Sequence, residues 1–421
     1  MGGWAFESGW HRHGDSLAVS MAQRIAVLFD NFGPYHVARL NACARVMELL
    51  AIEYSAVSSE YGWTPANSTH FQRVTLVDQA SAGSLTAARA RLQKALSSFR
   101  PASIAVPGWS SWLALNAMQW ASSEKVRIIV MSDSQASDSR RFPWKEVIKK
   151  RLLRLCHAAL VGGRPHREYL LRLGMQPDAI YEGYDVVDNR FFLEKSAAIR
   201  AQADQWRAAL DLPARYFLCS ARFLPKKNLI GLLGAYQLFV EKSAAKGSNS
   251  AAWQLVLLGD GELSPEITAT IHRLGLRDLV QLPGFRQIDE LPAYYAMAGA
   301  FILPSTTEQW GLVINEAMAS GLPVLVSERC GCAPDLVLDG CNGFTFDPLD
   351  LTELAKLMLR LTAMTDQERQ AMGRAGQEII AHWSPETFAE SLGRAADFAM
   401  SVPPRRVDRL GGLLLSVLSR R

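Results

Sequence analysis

The chain has 421 residues, of which 49% are hydrophobic and 20% charged, with 30 Gly and 19 Pro. At about 150 residues per domain this length predicts two or three domains, and the composition excludes a disordered chain or a fibrous repeat. Forty-five Lys and Arg against 41 Asp and Glu leave a net charge of +4, too even to make nucleic acid the expected partner of the whole chain. Any function of positive charge must therefore be local.

The cysteines and the start of the chain favour a protein of the reducing cytoplasm. The six Cys have no regular spacing, and a chain this long needs no disulfides. They are Cys43, Cys156, Cys219, Cys330, Cys332 and Cys341. Because the last three lack a fourth ligand at a known spacing, no metal site is predicted. Residues 1–20 carry charges where a signal peptide needs an apolar run, so we expect a disordered extension there and a natural start at Met21.

From Ile25 onward, short β-rich apolar runs alternate with longer segments of helical period. This alternation predicts an α/β protein with two doubly wound, Rossmann-like domains, each built on a parallel sheet. Strands of the first half are predicted at 25–29, 51–57, 71–77, 103–106, 126–131 and 158–161. Strands of the second half are predicted at 216–221, 253–258, 279–282, 300–303, 323–327 and 344–346.

The alternation breaks at 185–213, where the pattern predicts a charged helical linker. We place the boundary there, with a first domain at 21–205 and a second at 206–383. Ser384-Pro385 has the pattern of a helix start, so 384–421 is predicted to be a helix followed by a basic tail.

Open parallel sheets bind ligands beyond the carboxyl ends of their strands, so the residues that follow each strand are candidates for a site. Arg222 directly follows the strand at 216–221, and Lys227 precedes Asn228, which can begin the next helix. Two cations beside the N–H groups of a helix N-terminus predict an anion such as a diphosphate. On spacing alone, the alternative that both are solvated loop residues is equally open.

Gly259 lies in the sequence Gly-Asp-Gly after the next strand, where it can let backbone approach a ligand closely. The turn is not a G-x-G-x-x-G that opens a helix, and no G-x-x-x-x-G-K-[ST] occurs in the chain. The sequence therefore excludes a nicotinamide oxidoreductase and a P-loop phosphotransferase.

Two carboxylates follow the strand at 300–303. Glu308 lies in the loop at the carboxyl edge, and Glu316 lies on the next predicted helix. Carboxylates accept hydrogen bonds from sugar and ribose hydroxyls, although a single Glu is more often a solvent-facing residue. Their combination with Arg222 and Lys227 favours the binding interpretation.

These motifs together resemble the retaining family 4 glycosyltransferases. The resemblance covers about residues 214–400 and runs through the segments at 222–228, 259–262, 283–285, 308–324 and 339–344. It implies the GT-B architecture, in which two Rossmann-like domains face one another across a cleft and the last helix crosses back to the first domain. The helix that begins after Ser384 is the candidate for that crossing.

The resemblance also implies roles for single residues. Arg222 and Lys227 correspond to the residues that hold the donor diphosphate. Glu308 corresponds to the carboxylate near the donor sugar, and Glu316 to the one on the nucleotide ribose. In the family, the backbone amides of one segment contact the sugar and the phosphate. The corresponding residues here are Gln309, Trp310, Gly311 and Leu312.

The first half resembles the family more loosely. Gly33 lies in the loop that corresponds to the family's glycine-rich turn, where two glycines are common. His36 can touch the acceptor or a phosphate, and a structural role is equally open. Asp133 stands after the strand at 126–131, where many relatives carry a His beside the reacting carbon, and we expect it to replace that His.

Two basic segments are candidates for membrane contact. Seven cations lie between Arg140 and Arg154, and such a helix can rest on an anionic membrane face, hold a polyprenyl diphosphate acceptor, or be a solvated basic face. The tail at 405–421 mixes five Arg with a nine-residue apolar stretch, so it can lie on a membrane or pack as an ordinary terminus.

We therefore expect a cytoplasmic enzyme, peripheral to the membrane's inner face if these segments contact it, that moves a sugar from a nucleotide-diphosphate sugar to an acceptor hydroxyl with retention. Its expected partners are the nucleotide sugar and a carbohydrate or lipid-linked acceptor, with no cofactor and no metal. The setting implied by the resemblance is polysaccharide or glycolipid synthesis. Catalytic work is expected from Glu308, Arg222, Lys227, Asp133 and His36. A degenerate binding subunit and a GT-B sugar-nucleotide epimerase remain open alternatives.

Overall fold

The computed structural model describes residues 23–56, 63, 70–77, 84–245, 253–405 and 409–419. The expected extension at 1–20 and the expected start at Met21 lie outside the described residues. Within these residues, every strand pair is parallel and the strands form two sheets, as the alternation of apolar runs predicts.

The first sheet contains seven strands of the described residues. They are β1 (Arg24–Phe29), β2 (Glu48–Ser55), β3 (Gln72–Val77), β4 (Ser103–Pro107), β5 (Arg127–Ser132), β6 (Ala158–Val161) and β7 (Ile180–Glu182). Their order across the sheet is β3-β2-β1-β4-β5-β6-β7. The helices that connect them are α1 (Pro34–Ala44), α2 (Leu85–Phe99), α3 (Trp112–Glu124), α4 (Pro143–Leu153) and α5 (Arg164–Arg172). The central strands are almost continuously apolar because helices cover both faces of the sheet.

Two helices, α6 (Asn189–Arg200) and α7 (Ala203–Leu210), link the first sheet to the second. The six described strands of the second sheet are β8 (Tyr216–Ser220), β9 (Gln254–Leu258), β10 (Val280–Gly284), β11 (Ala300–Leu303), β12 (Val324–Ser327) and β13 (Gly343–Phe346). Their order is β10-β9-β8-β11-β12-β13. The helices around them are α8 (Leu229–Ala245), α9 (Ser264–Arg273), α10 (Leu291–Met297), α11 (Leu312–Ala319), α12 (Ala333–Leu336), α13 (Leu351–Ala363) and α14 (Asp366–Ile380).

The linker belongs mostly to the second domain by its packing. Helix α6, which the predicted boundary at 205/206 assigns to the first domain, packs against α10 and α11. Its Arg200 donates through Nε to Ala296 O at 2.9 Å. This packing favours a division of the chain just before Asn189.

A long helix near the end of the chain returns to the first domain. Helix α15 (Pro385–Ser401) is capped by Ser384, whose Oγ accepts from Thr387 N at 3.2 Å. It packs against α1, β5, β6 and β7 of the first domain, and Phe388 is fully buried there beneath the Arg39 guanidinium, 5.8 Å from the ring centre. The predicted crossing helix is thus confirmed.

A short helix, α16 (Arg409–Leu418), follows α15 and packs on α3. None of the helices in the described part of the chain is both long enough and apolar enough for a membrane span.

Candidate active site

The strand order puts one topological switch point near the centre of each sheet. In the first sheet it lies between β1 and β4, and in the second between β8 and β11. The connections leave such neighbouring strands in opposite directions, so a crevice opens beyond their carboxyl ends. The loops after β8 and β11 carry Arg222, Lys227 and Glu308, which places all three where an open sheet binds its ligand.

Lys227 and Glu308 form an ion pair in this crevice. Lys227 Nζ donates to Glu308 Oε2, and the two side chains are only 13% and 12% exposed. The loops that carry them are also joined through backbone, because Thr306 N donates to Lys226 O at 2.8 Å. A cation and a carboxylate are therefore held together in a mostly buried position at the second switch point.

Gly259 makes its close approach to the protein's own backbone. Its φ is +129°, and a Cβ at this position would lie 1.8 Å from Ala221 O. The next residue, Asp260, accepts from Phe223 N at 2.8 Å through its carbonyl. The turn therefore fixes the backbone on both sides of Arg222, which is half-buried. Contact of Gly259 with a donor stays a prediction.

The segment at 309–312 turns the chain from β11 into α11. Gly311 has a φ of +108°, and the helix begins at Leu312. The first N–H groups of a helix have no partner within it, so this segment presents amides that suit an anion. The Trp310 side chain is 2% exposed, and its Nε1 donates to Asn315 Oδ1 at 2.9 Å. Only the backbone of Trp310 is therefore left for contact with a ligand.

Glu316 is buried between two tyrosines from different domains. Its Oε1 accepts from the hydroxyl of Tyr35 at 2.6 Å, and its Oε2 accepts from the hydroxyl of Tyr295 at 2.8 Å. Burial raises the pKa of Glu316 to about 7, although both hydroxyls oppose the shift. The carboxylate expected to bind ribose thus already accepts two hydrogen bonds, one of them across the cleft.

Gly33 and His36 form a cap at the start of α1. Gly33 N donates to His36 Nδ1 at 3.2 Å, and the imidazole lies 4.3 Å from the ring centre of Phe29. Burial and the nearby charge of Arg39 lower the pKa of His36 to about 3. His36 is therefore a neutral ring with its proton on Nε2. A Cβ on Gly33 would meet nothing closer than 3.7 Å, so space does not require glycine here.

Asp133 reaches across the cleft to the donor-side loop. Its Oδ1 accepts from Gln309 Nε2 at 3.3 Å, and Gln135 Nε2, two residues further on, donates to Glu308 O at 2.7 Å. Burial raises the pKa of Asp133, although the nearby His166 ring opposes the shift. The structure thus brings Asp133 together with the predicted donor segment.

Asp185 is a second acid of the cleft that the sequence analysis missed. It is 5% exposed, its Oδ1 lies 3.9 Å from Arg39 Nη2, and its Oδ2 has no hydrogen-bond partner among the described residues. Burial and the charge of Asp133 raise the pKa of Asp185 to about 8, although Arg39 opposes the shift. The available signal was its position just beyond β7, a three-residue strand too short to show a pattern.

The start of α5 is a second missed part of the site. His166 Nδ1 accepts from Gly163 N at 3.1 Å, which repeats the cap of Gly33 and His36. Its Nε2 lies 2.9 Å from Gln309 O, so the ring links the two domains. Arg164 adds an ion pair across the cleft, with Nε 2.6 Å from Asp335 Oδ1. The shared pattern, Gly followed three residues later by His around a Pro, was visible in the sequence.

Comparison with known proteins finds similarity to glycosyltransferases over the second half of the chain. Residues 201–379 match the model of the glycosyl transferases group 1 family. The GDP-mannose-dependent alpha-(1-6)-phosphatidylinositol monomannoside mannosyltransferase of Mycobacterium tuberculosis is 32% identical over 207 residues, which cover 45% of this chain and 50% of that protein. The amylovoran biosynthesis glycosyltransferase AmsK of Erwinia amylovora is 32% identical over 200 residues, covering 45% of this chain and 47% of that protein. The chain thus spans about half the length of the curated relatives it matches.

Solved structures resemble this protein over almost the whole chain. The Anabaena protein HepE in complex with UDP superposes with a TM-score of 0.66 at 18% identity, covering 90% of this chain and 100% of that one. Sucrose-phosphate synthase from Thermosynechococcus elongatus gives a TM-score of 0.66 at 18% identity, covering 88% and 97%.

The fold therefore places the protein in the GT-B class, with two Rossmann-like domains facing across a cleft. The match to the glycosyl transferases group 1 model, at residues 201–379, falls on α7, which follows α6 in the linker, and on the second sheet with its helices.

Proposed function

We propose that this protein is a retaining glycosyltransferase that moves a sugar from a nucleotide-diphosphate sugar to an acceptor hydroxyl. The observation that carries the proposal is the ion pair of Lys227 and Glu308 at the switch point of the second sheet. A donor bound there would bring its diphosphate to a cation and its sugar hydroxyls to a carboxylate. The glycosyltransferase names of the relatives and the UDP complex of HepE support the same substrate class.

The leaving group sets the main catalytic need. As the bond to the anomeric carbon breaks, negative charge grows on the diphosphate while the sugar approaches an oxocarbenium ion. In our proposal Arg222 and Lys227 stabilise that charge together with the amides at 309–312. Because these positive groups stand where a divalent cation would otherwise serve, we propose transfer without a metal, and EDTA should leave turnover unchanged.

The donor's other parts would use the remaining second-domain groups. Glu308 would position the sugar and Glu316 would accept from the ribose. For that, the hydroxyl of Tyr35 must leave Glu316 Oε1, which it contacts at 2.6 Å. Gly33 and Gly259 would line the phosphate side through their backbone.

The acceptor would meet the first-domain edge. Asp133, held by Gln309, would take or orient the proton of the acceptor hydroxyl. His36 would donate through Nε2 as a neutral ring, because Gly33 N occupies Nδ1.

We infer that the acceptor is a carbohydrate or a lipid-linked carbohydrate, in polysaccharide or glycolipid synthesis, and that the protein works in the cytoplasm, peripheral to the membrane's inner face. The support is the chemistry in the names of two relatives, one acting on a phosphatidylinositol mannoside and one in amylovoran synthesis.

A panel of nucleotide sugars tests the proposal. The purified protein is incubated with UDP-, GDP- and ADP-sugars, with and without oligosaccharide or lipid-linked acceptors, and nucleotide release is followed. Release that depends on an acceptor, with the donor's anomeric configuration kept in the product by NMR, is expected. Binding without release would indicate a degenerate binding subunit, and conversion of the donor sugar without an acceptor would indicate an epimerase. Either result, or inversion, would contradict the proposal.

A further inference from the structure

Helices α4 and α16 lie beside each other on the first domain, and each leaves large apolar side chains in solvent. At the start of α4, Phe142 and Trp144 are 38% and 61% exposed, and Val147 is 53% exposed one turn later. On α16, Leu413 and Val417 are 62% and 49% exposed. Large apolar side chains that are grouped on one surface indicate a site of contact with a protein or a membrane.

Helix α16 packs against the first domain with its inner side and also carries apolar side chains on its outer side. Its inner side buries Leu415, and Ser419 O accepts from Arg89 Nη2 at 2.9 Å and from Asn116 Nδ2 at 3.1 Å. The exposed Leu413 and Val417 lie on the opposite side. A helix that is apolar on both sides is typical of one covered on both sides, so its outer side needs an apolar neighbour.

The charge beside this apolar surface is predominantly positive. The segment 140–154 contains seven cations and one acid, a net charge of +6 that exceeds the +4 of the whole chain. The acid, Glu146, is turned toward the protein, where Lys149 Nζ and the Tyr169 hydroxyl contact it at 2.8 Å. Lys145, Lys150 and Arg154 remain exposed, the last two on the same helix face as Val147.

The exposed aromatic rings are flanked by these cations. Lys145 Nζ lies 5.4 Å from the ring centre of Trp144 and 5.2 Å from that of Phe142, and the Arg140 guanidinium lies 5.4 Å from Phe142. An amphipathic Trp ring beside Lys and Arg is typical of the boundary between lipid headgroups and acyl chains.

We propose that α4 and α16 together form a docking surface for an anionic lipid bilayer. The cations attract the headgroups while Trp144, Val147, Leu413 and Val417 enter the upper acyl region. The two segments that the sequence offers as separate candidates are then one surface, because α16 packs against α3 and α4. This inference rests on the membrane location in the proposed function and names the face that makes the contact.

Co-sedimentation with vesicles tests the surface. The full chain is mixed with vesicles of phosphatidylcholine, with or without about 30% phosphatidylglycerol, over a range of NaCl concentrations. The wild type should bind only the anionic vesicles, more weakly as salt rises. Lys145→Gln/Lys150→Gln should weaken binding about 25-fold, since each cation near such a surface contributes about fivefold. Trp144→Ala/Leu413→Ala should abolish the binding that persists at high salt.

A matched variant and two further measurements keep the outcomes distinct. Lys356→Gln/Arg374→Gln removes two exposed cations from α13 and α14 of the second domain and should bind like the wild type. Equal losses in both charge variants, or no binding by the wild type, would overturn the surface. So would light scattering that shows a dimer broken by Trp144→Asp/Leu413→Asp. Nucleotide release from a soluble donor with a soluble oligosaccharide acceptor, measured without vesicles, reports the transferase function separately and should be equal in all variants.

Discussion

The carboxyl edges of the two sheets face each other across one cleft, but their ionisable groups are arranged in opposite ways. The second-domain edge holds a cation and a carboxylate as an ion pair, Lys227 with Glu308. The first-domain edge holds Asp133 and Asp185, and burial raises the pKa of both. Burial disfavours a charge that is poorly compensated: Lys227 contacts Glu308 directly, whereas the Arg39 guanidinium lies 3.9 Å from Asp185. The second edge therefore suits an anion, whereas the acids of the first edge hold a proton more readily than ordinary carboxyl groups.

The largest expected effect comes from the second-domain edge, where we propose that the donor binds. Lys227→Ala or Arg222→Ala should lower turnover by on the order of 10²–10³, because in the proposed reaction each removes a hydrogen-bond donor to the charge that develops on the leaving diphosphate. The measurement is nucleotide release in the presence of acceptor. Lys226→Ala is the matched control: its backbone carbonyl ties the two loops together, and the substitution leaves that carbonyl in place. If Lys226→Ala costs as much as Lys227→Ala, the effect comes from general charge and not from the crevice.

The next effect concerns the buried Glu316. Its pKa is about 7 in the fold against an ordinary 4.5, so the folded state binds more protons than the unfolded state between these values. The free energy of unfolding should therefore be highest below pH 4.5 and fall by on the order of 3 kcal/mol as pH rises through 7, from this group alone. Glu316→Gln should remove this part of the slope in urea titrations at pH 4.5–7.5. The exposed Glu328→Gln should keep it, and an unchanged slope in Glu316→Gln would contradict the assignment.

The first-domain edge, where we propose that the acceptor binds, should show a smaller and more selective effect. Asp133→Asn should lower transfer to the acceptor by about 10- to 100-fold while donor hydrolysis by water changes little, because an amide cannot take a proton. Both rates are measured on the same preparation. Asp138→Asn, five residues later and paired with Arg141, serves as the control and should leave both rates near wild type. Equal losses in both rates of Asp133→Asn would place Asp133 on the donor side of the comparison.

The smallest effect separates the two tyrosines of Glu316. Tyr35→Phe should tighten nucleotide binding about three- to tenfold, since the ribose would no longer displace a hydroxyl from the carboxylate. Tyr295→Phe should weaken binding instead, because that hydroxyl lies on the same domain and holds the carboxylate in place. Calorimetric titration with UDP and GDP measures both. Weaker binding in Tyr35→Phe would mean that the hydroxyl helps the donor.

The strands and candidate site residues of the second domain were predictable because they follow local patterns in the sequence. Each strand is a short apolar run, and the candidate site residue follows it within a few positions, as Arg222 follows β8 and Glu308 follows β11. The predicted strand at 51–57 differs, since β2 begins at Glu48, which pairs with Arg24 of β1 at 3.1 Å. That shift comes from a contact between strands, which no local pattern records.

The first-domain side of the site depends on contacts between residues far apart in the chain. Tyr35 meets Glu316 and His166 meets Gln309, and neither pair has a local signal. Gly259, in the second domain, also makes a contact that the sequence does not show. A close approach of its backbone to a ligand was predicted, but the atom that excludes a side chain there, Ala221 O, belongs to the connection after another strand. The sequence thus indicated which residues belong to the candidate site more often than it indicated which residues they contact.

The return of α15 to the first domain has a consequence for recombination of domains. Phe388 lies among first-domain residues, and Arg127 Nε donates to Ala399 O at 2.9 Å, so the end of the chain completes the first domain's core. A chimera that exchanges everything after the linker would replace this helix with one shaped for another partner. The interchangeable unit is therefore an internal cassette, from about 189 to 383, with both ends of the chain kept from the same parent.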